Sequence, residues 1–127
     1  MRNDRSNIIV ELTFKFAISI VKYCEELESK KKFVIAKQLL KSGTSIGANI
    51  REAQNAESKN DFIHKFKIAA KECDETIYWL AICKQIDSYP FDDNLTEQIE
   101  VISKVLSKIL ATSKNGNSPK TIIKLNN

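Results

Sequence analysis

Four stretches of this 127-residue chain place apolar residues at steps of three and four, a period that belongs to helices buried along one face. Between Ile8 and Glu28 the stripe is Ile9, Leu12, Phe16, Ile20, Cys24 and Leu27. After Phe33 it is Ala36, Leu39, Gly43, Ile46, Ile50 and Ala53. Phe62, Phe66, Ala69, Cys73, Ile77 and Leu80 make the third, which runs to about Ile86, and Leu95, Ile99, Ile102, Leu106 and Ile109 or Leu110 make the fourth. Three glycines and two prolines cannot turn an all-β chain every 8 to 12 residues or so.

The punctuation between the stripes agrees with four helices. A charged ESKKK segment ends the first, and Ser58-Lys-Asn-Asp61 has the form of a capping box ahead of the third. Asp87-Ser-Tyr-Pro90 is a turn, and Asp92 to Asn94 can cap the fourth helix. There Asp93, Glu97 and Glu100 lead while Lys104 and Lys108 trail, the order the helix dipole favours. Short connections between amphipathic helices predict an all-α fold, an antiparallel up-and-down four-helix bundle, with residues 1–113 as the domain and 114–127 as a flexible C-terminal tail.

Gly43 and Gly47 interrupt the second helix, each lowering its propensity by roughly 0.5–1 kcal/mol relative to alanine. With Ala36 and Ala53 they form a face of little bulk, which lets another helix approach closely. Beside it run Ser42, Ser45, Asn49 and Glu52, short polar side chains where a solvated face would carry Lys and Glu. The third helix offers Glu72, Glu75 and Trp79 as a counterpart, and together these residues predict a subunit interface.

Charge is unevenly spread. The net charge is +4, yet residues 30–71 hold ten Lys/Arg against three acids, and the last fifteen residues hold three lysines and no acid. Lys37, Lys41 and Arg51 on the second helix and Lys67 and Lys71 on the third are the candidate nucleic-acid contacts, since clustered cations are the electrostatic footprint of phosphate binding. No base-reading motif accompanies them. The alternative is a protein-binding scaffold whose lysines serve solubility.

Sites for chemistry are scarce. Asp61-Phe-Ile-His64 has the carboxylate-x-x-His spacing of a di-iron bundle, but such a site needs two of these motifs plus two glutamates, and His64 is the only histidine. GTSIG lacks the Lys-Ser/Thr of a phosphate loop and the histidine partner of a nucleophile elbow. Cys24, Cys73 and Cys83 are odd in number, lie in apolar segments and include no CxxC pair. The sequence therefore predicts no catalytic residue, no metal and no cofactor. Asp4 and Glu11 in the N-terminal stretch argue against a signal peptide or membrane span, so the expected location is the cytoplasm.

QLLKSGTSIGANIREA followed by SKNDFIHKFKIAAKECDETIYWL resembles the two signature helices of the bundle proteins named for the intervening sequences of 23S ribosomal RNA genes. The resemblance extends through Ser113 and is specific in the central half. It is nearest to the branch whose third helix carries Lys71-Glu72, Glu75-Thr76 and Tyr78-Trp79-Leu80. Ser45-Ile-x-x-Asn49-Ile-x-Glu52 matches the family pattern; Arg51 stands where many members have alanine, and Lys71-Glu72 replaces the Gly-Ser of other branches. The resemblance implies a non-enzymatic bundle that assembles into homo-oligomeric rings, pentamers among its relatives. It also implies kinship to accessory factors of diversity-generating retroelements, whose basic rings contact nucleic acid and a reverse transcriptase.

Overall fold

The computed structural model of the chain describes residues 7–114, which form α1 (Asn7–Ser29), α2 (Phe33–Ala53), α3 (Lys59–Gln85) and α4 (Asp93–Lys114). Each helix packs on its neighbours in sequence, and α4 closes the ring against α1, which makes the up-and-down bundle. The expected tail from residue 115 onward lies outside the described residues.

The buried positions step more regularly than apolar identity alone suggests. Ile9, Thr13, Phe16, Ile20, Tyr23 and Leu27 line α1; Ala36, Leu39, Gly43, Ile46, Ile50 and Ala53 line α2. Phe62, Phe66, Ala69, Cys73, Thr76, Leu80 and Cys83 line α3, and Leu95, Ile99, Ile102, Leu106, Ile109 and Ser113 line α4. These seam positions alternate three and four in all four helices, with Val10, Cys24, Ile35 and Ser42 buried beside them, and the 3.5-residue period keeps a seam facing its partner when helices cross at about 20°.

This period corrects the sequence reading at two places. Ile77 is 37% exposed, and Thr76 takes its place in the core at 0%. Leu12 is only partly buried, and Thr13 is the inward residue. Both threonines are tolerated because their hydroxyls are satisfied: Thr13 donates to the Ile9 carbonyl at 2.9 Å, and Thr76 to the Glu72 carbonyl at 2.7 Å. Tyr23 is a further core residue hidden from the apolar count. Its ring is buried and its hydroxyl reaches the Pro90 carbonyl at 2.7 Å, tying α1 to the α3–α4 turn.

The helix ends follow local chemistry. Lys32 N–H bonds the Leu27 carbonyl and Lys31 N–H the Glu28 carbonyl, the paired bonds of a Schellman ending, with Lys31 in the left-handed region at φ 64°. Ser58 caps α3 by accepting from the Asp61 amide at 3.0 Å, and Asp92 accepts from the Asn94 amide at 3.0 Å ahead of α4.

The glycine face packs on α1 within the protomer. A Cβ at Gly43 would lie 2.9 Å from Ile20 Cγ2 and 3.0 Å from Cγ1, and one at Gly47 would lie 3.3 Å from Thr13 Cβ, Oγ1 and its carbonyl oxygen. These two residues set how closely α1 and α2 approach.

Candidate functional site

Two contacts fix how α2 lies against α3. The hydroxyls of Ser42 and Thr76 hydrogen-bond at 2.9 Å inside the core, and Lys65 Nζ meets Glu52 Oε1 at 2.9 Å on the surface. Counting equal rises along this antiparallel pair brings Asn49 level with Ile68, Ser45 level with Glu72 and Gln38 level with Trp79. Ser42, the first residue of the polar stripe, thus belongs to the interior of a single protomer, a correction to its expected interface role.

The remaining residues of the expected interface do come together along the α2/α3 groove. Ser45 is partly buried and donates to the Lys41 carbonyl at 2.6 Å, and Asn49 donates from Nδ2 to the Ser45 carbonyl at 2.9 Å. Both side chains are therefore folded back onto their own helix. Glu52 is held by Lys65. Across the groove, Trp79 Nε1 donates to Glu75 Oε2 at 3.2 Å, and Tyr78 meets the Trp79 ring edge-on at 5.3 Å between centroids.

Glu72 and Glu75 are neighbouring carboxylates at the groove, with Lys41 near the first. Burial and then the neighbouring Glu75 carboxylate push the Glu72 carboxyl above its usual range, and Lys41 opposes the shift. Neither Glu72 nor Glu75 has an ion-pair partner among the described residues.

The five cations do not form one patch. Lys41 stands within range of Glu72 at the groove, with Lys37 one turn away. Arg51 holds its guanidinium 5.5 Å from the centre of the Phe14 ring of α1, which draws it toward the opposite edge of α2. Lys67 and Lys71 form a one-turn pair on α3. Lys37, Lys67 and Lys71 are exposed and free of ion pairs among the described residues. Sequence periodicity located every one of these side chains on its helix; Phe14 as the seat of Arg51 had no sequence signal, because it lies off the buried stripe.

No group of three or more His, Cys, Asp or Glu side chains among the described residues is placed to hold a metal ion. Burial lifts the Cys73 thiol to about 11 and the Cys24 thiol to about 12, and raises Cys83 as well, which removes their nucleophilic form at neutral pH. A shallow cleft between α1 and the start of α4, lined by Ser19, Lys22, Tyr23, Glu26, Asp92 and Leu95, is open to solvent. Among the described residues no helix is long and apolar enough to cross a membrane.

No curated protein matches the chain. Among solved structures, it is similar to a protein of unknown function of the S23 ribosomal protein family from Bacteroides thetaiotaomicron, at 39% identity and a TM-score of 0.79, over 84% of this chain and 98% of that one. The sequence profile of the 23S rRNA-intervening sequence proteins matches residues 5–108. Most of the chain, including both helices of the groove, is covered by these matches, and the chain belongs to the 23S rRNA-intervening sequence protein family.

Proposed function

We propose that the protein works without catalysis, as a cytoplasmic, self-associating helical bundle that holds RNA or DNA through its basic helix faces. The observation that carries this reading is the set of exposed lysines, Lys37, Lys67 and Lys71, that have no acidic partner among the described residues. Lys41 and Arg51 extend it at the edges of α2. One protomer offers too few cations for tight binding, so copies joined through Ser45, Asn49, Glu52, Glu72, Glu75 and Trp79 would supply the affinity by multivalency. A ring, pentameric in keeping with the resemblance, arranges the lysine pairs in this way. The family's name refers to 23S rRNA, and the Bacteroides relative is described as of a ribosomal protein family, which supports RNA as the first ligand to test.

Binding of this kind releases counterions. Affinity for RNA should fall with salt by a log–log slope of roughly 0.7–0.9 per phosphate neutralised, with little preference for sequence. Reversing Lys67 and Lys71 to Glu should weaken all sequences alike and leave the helices intact. Absence of retention at low salt would leave the scaffold reading, which is favoured by the exposed apolar residues Phe14, Ile18 and Val21 of α1 and Leu40 of α2.

A further inference from the structure

A closed ring of more than two copies needs two different faces on each copy, one that inserts and one that receives. The α2/α3 groove supplies one of them under the self-association proposed above, and the other is unassigned. A second unusual surface lies on the opposite side of α2. Phe14, Ile18 and Val21 step by four and three along one side of α1, and all three are exposed together with Leu40 of α2, between 40% and 53%. Arg51 sits over the Phe14 ring, and Leu40, three turns before Arg51, is on the same side of α2. Single exposed apolar residues are ordinary, whereas four gathered on one face mark an interaction surface.

The charged groups at the two surfaces complement each other. Arg51 has no ion-pair partner among the described residues, and neither has Glu72 or Glu75 at the groove, where Lys41 stands near Glu72 without pairing with it. Trp79 of the groove is only partly covered within its own protomer. We propose that the α2/α3 groove of one copy receives the α1/α2 face of a second copy, head to tail, with Val21 and Leu40 against Trp79 and Arg51 toward Glu72. The inference rests on the self-association reading and names what the groove binds.

The heights of the two faces agree with closure. Gly43 lies against Ile20 and Ser42 against Thr76, so counting equal rises puts Val21 level with Ser42 and Thr76, and Phe14 level with Asn49 and Ile68. Leu40 comes within ~3 Å of the height of Trp79. Arg51 stands ~8 Å from the height of Glu72, and helix side chains lean toward the N-terminus, so on antiparallel helices these two lean toward each other. Faces offset in height would drive the copies into an open helix instead of a ring. Grooves on either side of one helix of a bundle point roughly 90° apart, and copies with parallel axes joined at roughly 90–110° close after about four or five.

Two variants separate the faces. Ile18→Asp/Leu40→Asp spoils the α1/α2 face and Glu72→Lys/Glu75→Lys the groove; none of the four positions is buried, and circular dichroism melts verify folding. By light scattering over a dilution series, each variant alone should assemble only at concentrations at least about tenfold above wild type. Mixed in equal amounts they should form a heterodimer and nothing larger, because each retains the face the other lacks. A face variant that assembles like wild type while the groove variant does not overturns the inference and leaves groove-to-groove association standing. Two monomeric variants that ignore each other when mixed also overturn it. A groove variant that assembles like wild type, or a monomeric wild type, overturns both the inference and the self-association reading. A second set guards against misfolding: Arg51→Glu and Glu72→Arg should each weaken assembly about tenfold, and both in one chain should restore most of it. Absence of that recovery overturns the pairing of Arg51 with Glu72.

Discussion

Gly43→Ala tests the closeness of α1 and α2 with a single methyl group. The added Cβ would sit 2.9 Å and 3.0 Å from the two γ carbons of Ile20 and 3.3 Å from its Cβ. Ile20 is fully buried, and a β-branched side chain in a helix has one strongly preferred χ1, so the contact cannot be relieved by rotation. The helices must separate. Overpacking of this kind costs typically 1–3 kcal/mol, and alanine returns about 1 kcal/mol of helix propensity, so a net loss of up to about 2 kcal/mol is expected. At Gly47 the nearest atoms are all at 3.3 Å, and Gly47→Ala should be close to neutral, the packing and propensity contributions cancelling at about 1 kcal/mol each. The decisive measurement is a double-mutant cycle by urea unfolding, followed by circular dichroism at fixed protein concentration. In an Ile20→Ala background both γ carbons are gone, and Gly43→Ala should stabilise by about 0.5–1 kcal/mol, a change of sign and a coupling of roughly 1–3 kcal/mol. If Gly43→Ala has the same effect in both backgrounds, Ile20 is not what makes the glycine necessary.

Further outcomes follow from other parts of the fold. Lys31→Gly should raise stability by about 0.5–1 kcal/mol, because a left-handed φ is free of steric penalty for glycine, and a thermal melt that moves downward would contradict the Schellman ending. Thr76→Val should cost about 1–3 kcal/mol by leaving the Ser42 hydroxyl buried without its partner, while Ser42→Ala/Thr76→Val should recover much of that loss; equal losses would deny the coupling. The native thiols should resist a disulfide reagent until the protein unfolds. Since Cys24 and Cys73 hold their protons to about 12 and 11 when folded but release them near 8.5 when unfolded, stability should be intact below about pH 8 and decline from there toward pH 11. A flat urea midpoint across that window would refute the burial of the thiols.

Helix identity, order and nearly all boundaries were legible because they depend on local chemistry: periodicity, a serine cap and the acids at a helix start. The stripe on α3 was misread at one step because Ile77 is apolar and Thr76 is not, whereas burial follows the 3.5-residue seam and accepts any side chain whose polar atoms are satisfied there. Ser42 was assigned to an outer surface for the same reason. The short polar side chains of α2 stood out in the sequence because their helical spacing is visible in a single helix. The seat of Arg51 on Phe14 and the tie from Tyr23 to Pro90 are pairings between distant segments, which no one-helix pattern can show.

The hydroxyl pair between α2 and α3 also bears on what the sequence does not fold into. Coiled seams of repeating apolar residues permit α3 to slide by one heptad with little change in apolar burial, so misaligned compact states compete with the native one. A slide of seven residues would set Ala69 or Cys83 against Ser42 in place of Thr76. Neither alternative restores the native hydroxyl pair, and a stranded hydroxyl in a dry core is worth about 1–3 kcal/mol. One polar layer therefore widens the energy gap between the aligned bundle and its shifted neighbours, a small contribution to stability and a larger one to uniqueness.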